Sequence, residues 1–600
     1  MSDFLLDFRP QGRRALERAA EGLRFAEDTK TEVIDQPAFG LVVSYTGGSA
    51  LWAPYSADTG SLVAVAGRPV FDQTEWEGAP AIAGRGGLAA KIILSRVQEF
   101  GTAALERLNG SCVVIVYDAP GQLVHLVTDC CGVFPAFEVE TSEGRLYGSH
   151  PDVLASAANE ELRLDELSLA EFILSGTVTP PYSYYDRIRA TDSGTILTID
   201  VSAGRHGRSA KRRHFEFAYR GDPRVPEGEL ASQLAATLRR AVERRTLPRL
   251  GPTAVALSGG LDSRVVLACS LDEQRTFAFC CYDEPNRELR TAEAIARSLS
   301  ARFLPLRRTA DYYADHAERG VRISGGMGNL ANNHFLGVIP RLKAEGMESL
   351  LTGCYCDYLF KGLPLNRHVH WLTRRETLAP FRSEFYFDHV HAATTLAGRA
   401  RERWESRIPQ QLQKQDTPSA VFEVEARRTF PLCYEGDNQQ RVVPQRITGW
   451  SSPYVDRDLL DVYCRLPYNF KLNRSIFRKA MGSMPSGLKT VPDANTGAPL
   501  DAFLATEWLR GNQLRLQRAL RRLTGSTLNE ESWPDWHQYL TQSRKLDDLW
   551  KRPNPFAMDL FRRVLGVSGL PDDMRALKRE QPFLFVGLLT AKIWLDQRAT

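Results

Sequence analysis

The chain has 600 residues, and its 76 Lys and Arg against 72 Asp and Glu leave a formal net charge of only +4. That length exceeds what one hydrophobic core supports, so two or three domains are expected. Because the charges nearly balance, the net charge gives no support for nucleic-acid binding. No apolar run of about 18 residues occurs, so no membrane span is predicted. Ten cysteines without framework spacing are typical of a reducing, cytoplasmic compartment.

Residues 1–212 are predicted to form a β-rich first domain. Short alternating apolar runs bounded by glycine turns favour strands, and one long helical pattern at 86–108 lies among them. This composition predicts stacked sheets. The predicted strands lie at 40–45, 61–67, 111–118 and 123–129.

The pattern changes to alternating helix and strand from residue 228. The stretch 211–230 is basic and then polar with prolines, which predicts a linker. The alternation over 228–500 predicts a doubly wound parallel sheet, in which ligands bind at the carboxyl ends of the strands. The predicted strands are 253–257, 276–281 and 302–306.

Residues 253–264 carry the strongest functional signal, a strand followed by a glycine turn and a helix. Glycines allow backbone N–H groups to approach an anion, and the helix N-terminus adds its positive dipole end. The spacing differs from GxxxxGK[ST], and no Lys follows. The SerGlyGlyLeuAspSer order resembles the pyrophosphate loop of ATP pyrophosphatases. The resemblance implies ATP binding by Leu257, Ser258, Gly259, Gly260, Asp262 and Ser263.

A second carboxylate is expected beside Asp262, because the pyrophosphate leaving group of an AMP transfer carries much negative charge. In residues 349–360 a short strand ends at Thr352 and Gly353, and Asp357 follows in the turn. Asp262 and Asp357 are therefore the predicted Mg²⁺ ligands, and Thr352 and Gly353 are added to the ATP site. Phe279 is placed either to pack on adenine or to fill the core.

Several segments resemble the asparagine synthetase family over most of the chain to about residue 500. Residues 349–360 are similar to the family's SGEGSDEVFGG segment, and 452–472 to PFLDRRLVEFALSLP. LeuAsnGly at 108–110 and AspCysCysGlyValPhePro at 129–135 are similar to its glutaminase domain. The resemblance implies an N-terminal class II glutaminase-like αββα domain and an ATP pyrophosphatase domain using ATP and Mg²⁺. Residues 501–600 are expected to be a helical extension packed on the synthetase domain.

The chain departs from the family at three functional positions. Position 2 is Ser2 where glutamine-hydrolysing members use a cysteine, and no cysteine precedes Cys112. The expected outcome is a first domain that kept its fold and lost hydrolysis, although a serine nucleophile stays open. Cys354 stands where the family has Glu or Tyr. Tyr355, one residue later, is a catalytic candidate, because a tight turn could rotate it into the site. The family's later lysine falls near Asp493; Lys489 is the first catalytic candidate and Lys361 the second.

The resemblance implies an AMP-forming ligase that adenylates a small-molecule or peptide carboxylate, which an amine or ammonia then attacks. Within the family, members without a working glutaminase include β-lactam synthetases and lasso-peptide cyclases. The alternatives are amidation of a uronic acid in surface polysaccharide, a non-catalytic binding member, and a tRNA-modifying or NAD-forming pyrophosphatase sharing only the loop. A homo-oligomer is compatible with the sequence.

Two further sequence patterns are not explained by the ligase interpretation. His368 with His370, and His389 with His391, each put two imidazoles on one face if extended, but no third zinc ligand is marked. The leucines of 505–523 alternate with arginines and are expected to pack on the synthetase domain, and 583–595 is expected to be a buried helix. The leucines are Leu509, Leu514, Leu516, Leu520 and Leu523.

Overall fold

A computed structural model describes most of the chain. The described residues are 2–9, 13–46, 50–78, 83–202, 207–271, 274–373, 375–381, 395–482, 487–499, 502, 504–523, 533–570 and 574–599.

The first domain contains two antiparallel sheets with helices outside them. Its strands are β1 Ser2–Asp7, β2 Thr29–Asp35, β3 Gly40–Thr46, β4 Tyr55–Ala57, β5 Leu62–Pro69, β6 Gly84–Gly86, β7 Gly110–Asp118, β8 Leu123–Val127, β9 Phe137–Thr141, β10 Gly144–Gly148, β11 Arg189–Ala190, β12 Thr195–Asp200 and β13 Ser209–Arg213. Its helices are α1 Arg13–Gly22, α2 Gln73–Glu77, α3 Leu88–Phe100, α4 Pro151–Ala158 and α5 Glu166–Ser175. The strand orders are β11-β9-β10-β1-β3-β2 and β13-β12-β8-β7-β5-β4-β6.

Alternation along the strands explains why these sheets stack. On β1, Phe4 and Leu6 face the core between the sheets, whereas Leu5 faces the helical layer with Leu16 of α1. In the second sheet, residues such as Val63 pack under α3. A period of two sends successive side chains to opposite faces, and both faces here are apolar. The result is the predicted αββα arrangement. Strand β1 and helix α1 were missed in the sequence.

The second domain is an α/β unit. Its strands are β14 Thr253–Ala256, β15 Thr276–Tyr282, β16 Arg302–Arg307, β17 Ser349–Leu351, β18 Arg367–Val369, β19 Glu376–Leu378 and β20 Trp450–Ser451. Its helices are α6 Glu227–Glu243, α7 Leu261–Ala268, α8 Arg287–Ser298, α9 Tyr312–Ser324, α10 Ile339–Ala344, α11 Cys356–Phe360, α12 Thr395–Glu405, α13 Gln410–Gln413, α14 Pro418–Thr429, α15 Gln439–Ile447, α16 Arg457–Tyr463, α17 Tyr468–Lys471, α18 Ser475–Met481 and α19 Gly487–Thr490.

The order of the parallel sheet determines where a ligand can bind. Strands β16-β15-β14-β17-β20 are hydrogen-bonded in that order, and each neighbouring pair is parallel. From β14 the chain adds β15 and β16 on one side, then β17 and β20 on the other. The order therefore reverses between β14 and β17, and such a switch point opens a crevice at the carboxyl ends of the two strands. The predicted doubly wound sheet is confirmed.

The C-terminal part is helical, as expected. Its helices are α20 Leu504–Leu523, α21 Trp536–Gln542, α22 Arg544–Lys551, α23 Pro555–Leu565, α24 Arg575–Glu580 and α25 Pro582–Ala599. Helix α25 is buried against α9 and α5, in line with the prediction for 583–595. None of the described helices is long and apolar enough to cross a membrane.

The leucines of α20 do not all pack inward as expected. Leu514 lies against Gly497, but Leu509, Leu516 and Leu520 are more than half exposed. The side chain of Leu523 lies outside the described residues. The side of α20 that carries Leu514 is covered by the turn containing Gly497.

Candidate functional site

The glycine loop is folded tightly over the start of α7. The Ser258 N–H donates to Ser263 Oγ at 2.9 Å, and the Gly260 N–H donates to Ser258 Oγ at 3.2 Å. A Cβ on Gly259 would lie 2.3 Å from that of Ala494, so no larger residue fits. The loop thus presents backbone and hydroxyl groups at the N-terminus of α7, an arrangement suited to anions.

The second predicted segment meets this loop directly. A Cβ on Gly353 would lie 2.8 Å from the backbone nitrogen of Ser263 and 2.9 Å from Asp262 Cβ, so only glycine allows the approach. Thr352, which is 1% exposed, has a hydroxyl with no hydrogen-bond partner among the described residues. An unsatisfied buried hydroxyl in a crevice is costly unless a ligand or water meets it.

Lys361 lies between the two predicted metal ligands. Its Nζ forms an ion pair with Asp262 and lies 3.0 Å from Asp357 Oδ1. The lysine side chain is 8% exposed, against 17% for Asp262 and 55% for Asp357. Burial lowers the pKa of Lys361, but Asp262 and the other acidic groups around it, Asp357 among them, together outweigh burial, and the pKa is raised. The structure therefore places a positive charge where the two carboxylates converge.

The carboxylate pair fits a magnesium ion by its chemistry. Mg²⁺ prefers oxygen ligands and is usually held by one or two carboxylates together with substrate phosphates and waters. Asp262 and Asp357 already share one cation, the ammonium of Lys361. Among the described residues no group of three or more His, Cys, Asp or Glu could hold a metal alone. His370 bonds to Thr373, and His389 and His391 lie outside the described residues.

The segment at 452–458 is hydrogen-bonded to the backbone of the two site segments. Tyr454 Oη donates to the backbone oxygen of Asp262 at 3.0 Å, and Ser452 Oγ donates to the Cys354 carbonyl at 2.8 Å. Asp456 is fully buried and pairs with Arg245 at 2.7 Å, and Asn109 of the first domain donates to it at 3.0 Å. This motif therefore links the first domain to the loop that carries Asp262.

The turn at 491–499 covers the glycine loop but places Lys489 elsewhere. The Ala494 N–H donates to the Gly259 carbonyl at 3.0 Å. Asp493, at the family's lysine position, is buried and accepts from the Asn495 N–H at 2.7 Å. Lys489 Nζ donates to the Gly482 carbonyl at 2.7 Å, and no described contact joins it to either metal-ligand candidate. Of the two candidate lysines, the structure brings Lys361 to the carboxylates.

The remaining predicted residues are buried. Tyr355 is 2% exposed, has φ of +74°, and lies under the Arg441 guanidinium at 4.5 Å. Burial raises the pKa of its hydroxyl. Phe279 is 1% exposed and packs edge-on against Phe335, as a core residue does. Its contact with adenine stays a prediction.

Sequence reasoning missed a buried acid that contacts Tyr358, the residue after Asp357. Glu435 accepts a hydrogen bond from Tyr358 Oη and forms an ion pair with Arg441. Burial raises the pKa of Glu435 to about 7, although Arg441 opposes the shift. Glu435 lies 77 residues from Tyr358, and no local pattern marks it. The pairing of Lys361 with Asp357 was open to sequence reasoning, because residues four apart share a helix face.

Fold and site together define a class of two-domain ATP-using ligase, with an amidotransferase-like αββα domain before an ATP pyrophosphatase domain. The asparagine synthase family matches residues 233–555, and the glutamine amidotransferase domain family matches residues 86–209. The chain belongs to the asparagine synthase family, whose members are AMP-forming carbon–nitrogen ligases that use ATP.

Two solved structures are only distantly similar to this chain. The glutamine phosphoribosylpyrophosphate amidotransferase from B. subtilis, complexed with ADP and GMP, is 8% identical with a TM-score of 0.26. The match covers 51% of this chain and 91% of that one. A second structure, an allosteric regulatory enzyme of purine biosynthesis, is 7% identical with a TM-score of 0.26, covering 51% and 90%. No curated protein matches the chain.

Proposed function

We propose that this ligase adenylates the carboxylate of a small molecule or peptide, and that an amine then attacks to give an amide. The observation that carries the proposal is the convergence of Asp262, Asp357 and Lys361 beside the glycine loop at the switch point of the sheet. Two carboxylates and a fixed ammonium at one phosphate-binding turn suit transfer of AMP.

In the first step a substrate carboxylate oxygen attacks the α-phosphorus of ATP. The bond from that phosphorus to the bridging oxygen breaks, and pyrophosphate leaves with the electron pair. Backbone N–H groups of the loop with Ser258 and Ser263 would hold the phosphates. Asp262 and Asp357 would hold Mg²⁺, which neutralises phosphate charge when bound. Lys361 adds a fixed positive charge beside these carboxylates.

In the second step the amine nitrogen attacks the acyl carbon, the bond to AMP breaks, and the nitrogen loses a proton. The proposed proton acceptor is Glu435, acting through Tyr358, the residue after Asp357. A pKa raised to about 7 suits a general base at neutral pH. Cys354 is a poor base in its thiol form, and Tyr355 is held under Arg441.

The amine comes from the substrate or from free ammonia, not from glutamine hydrolysed by the first domain. The first-domain cysteines Cys112, Cys130 and Cys131 are buried, and burial raises the pKa of each thiol, to about 12 for Cys130. A buried, protonated thiol is a weak nucleophile. Asp3, beside Ser2, is locked against the second domain by Arg446 at 3.1 Å.

The test is ATP–pyrophosphate exchange with a panel of acids that contains amino-bearing carboxylates, peptides and uronic acids. Exchange that depends on one acid class, with AMP and amide formed once an amine is supplied, supports the proposal. Exchange with uronic acids alone would point to polysaccharide amidation. An absence of exchange with every acid, in protein that binds ATP, would favour a non-catalytic member and contradict the proposal.

A further inference from the structure

Helix α20 turns an apolar stripe away from the body of the protein. Leu509, Leu516 and Leu520 follow one another at seven and four residues, which places them on one helix face, and they are 61%, 62% and 51% exposed. The opposite face is attached to the domain through Leu514 and through Glu507, which pairs with Arg478. Three large apolar side chains on one outer face usually mark an interaction surface.

The stripe continues onto a neighbouring hairpin. Trp508 Nε1 donates to the Leu372 carbonyl, which joins the start of α20 to the turn between β18 and β19. At that turn Trp371 is 80% exposed and Leu372 is 46% exposed. The helix and the hairpin turn together form one outer surface, which we name the α20 face.

The α20 face carries a positive charge. Arg510 and Arg515 are exposed and lie about 100–120° from the leucine stripe on its two sides, from 3.6 residues per turn. On the hairpin the acid Glu376 is paired with Arg367 at 2.9 Å, and Arg375 is exposed. A partner of this face should therefore be anionic.

We propose that the α20 face docks the protein on an anionic lipid surface. Leucines flanked on both sides by arginines are typical of a helix lying in the membrane interface, and an exposed tryptophan is a preferred interfacial anchor. A peptide helix would instead dock in a groove, whereas the three leucines lie on the outer face of one helix. Negative headgroups complement the arginines. The inference is independent of the proposed reaction.

The geometry relates the α20 face to the nucleotide site. Leu514 packs against Gly497, and Ala494 of the same turn bonds to Gly259. The 491–499 turn thus contacts both the helix and the glycine loop. Docking would therefore hold the glycine loop close to the lipid surface.

The test is flotation of the full-length protein with vesicles of phosphatidylglycerol and phosphatidylcholine in equal parts, and with vesicles of phosphatidylcholine alone. We expect binding to the anionic vesicles only, weakened by high salt. The triple variant Leu509→Ser, Leu516→Ser, Leu520→Ser and the variant Trp371→Ala should each bind at least tenfold more weakly. Matched controls are Leu271→Ser and Phe100→Ala, which alter side chains 49% and 61% exposed elsewhere.

Several results would overturn the inference. They are no binding by the wild type, equal binding to both vesicle types, or equal loss in the controls. If the wild type binds an acidic peptide but no vesicle, the partner is a polypeptide. If light scattering shows a dimer that the triple variant converts to a monomer, without vesicle binding, the face is a self-interface. An unchanged melting temperature in each variant shows that the fold is retained.

Discussion

Lys361 Nζ lies 3.0 Å from Oδ1 of Asp357, four residues earlier in the chain. The same nitrogen pairs with Asp262, which belongs to a different strand-to-helix connection. One buried lysine thus joins the glycine loop segment at 253–264 to the segment at 349–360. The proposed phosphate and metal site rests on this position.

Removing either carboxylate should stop adenylation. Asp262→Asn and Asp357→Asn keep the side-chain volume but remove the charge that would hold the metal ion, so exchange should fall roughly 10²- to 10⁴-fold. Asp357 is 55% exposed, so Asp357→Asn should leave the melting temperature nearly unchanged. ATP–pyrophosphate exchange and thermal melting measure both effects. Near wild-type exchange in either variant would refute the assigned role.

Lys361 and Lys489 should respond differently to the same substitution. Lys361→Met removes the cation between the carboxylates, so exchange should fall by about 10²-fold or more. Lys361→Arg should retain more exchange, because it keeps the charge. Lys489→Met should change little, since its ammonium contacts the Gly482 carbonyl. If Lys489→Met instead kept exchange and lost amide product, Lys489 would be the amide-forming lysine and Lys361 would serve adenylation alone.

The rate of amide formation should fall at acidic pH as Glu435 becomes protonated. A base must be deprotonated, so product formation should rise as pH increases through about 7. Glu435→Gln should lower product formation and remove this dependence on pH, whereas ATP–pyrophosphate exchange should keep its own pH profile.

The folding stability should change with pH in the opposite direction to product formation. Because the pKa is raised in the fold, ionisation of Glu435 between its ordinary range and about 7 costs stability as pH rises. If Glu435→Gln kept the same fall in product formation at acidic pH, the general base would be another residue.

The purified protein should release no glutamate from glutamine, with or without ATP. The physical reason is the burial of the three first-domain cysteines and the raised pKa of their thiols. A coupled glutamate assay measures this directly. Glutamate release that disappears in Ser2→Ala would establish a serine nucleophile and contradict the proposal.

Gly353→Ala should damage the site through packing alone. The added Cβ would lie 2.8 Å from the Ser263 backbone nitrogen, so one of the two connections must shift, at a cost of about 1–3 kcal/mol. Exchange should fall with it. Gly398→Ala in α12 is the matched control, because its Cβ meets nothing within 4 Å, and it should stabilise the helix by roughly 0.5–1 kcal/mol. Equal melting temperatures for the two variants would argue against the close approach.

The sequence by itself determined the local features of this protein. The strand, glycine turn and helix at 253–268 were predictable because strand propensity, glycine freedom and helical periodicity all act within a few residues. The alternating helices and strands predicted the parallel sheet for the same reason. The short strand β1 was missed because its pattern is brief, and its pairing partners lie far along the chain.

Only the tertiary structure decided which distant residues meet. Glu435 reaches Tyr358 across 77 residues, and Arg446 reaches Asp3 across more than 400, and no local periodicity encodes either contact. The position of Lys361 at the two carboxylates, with Lys489 at the Gly482 carbonyl, depends on the close approach of Gly353 to Asp262. Likewise the sequence predicts that the leucines of α20 pack on the domain, but Leu514 packs on Gly497 whereas Leu509, Leu516 and Leu520 are exposed. Such choices depend on shape complementarity between elements, which a linear pattern does not specify.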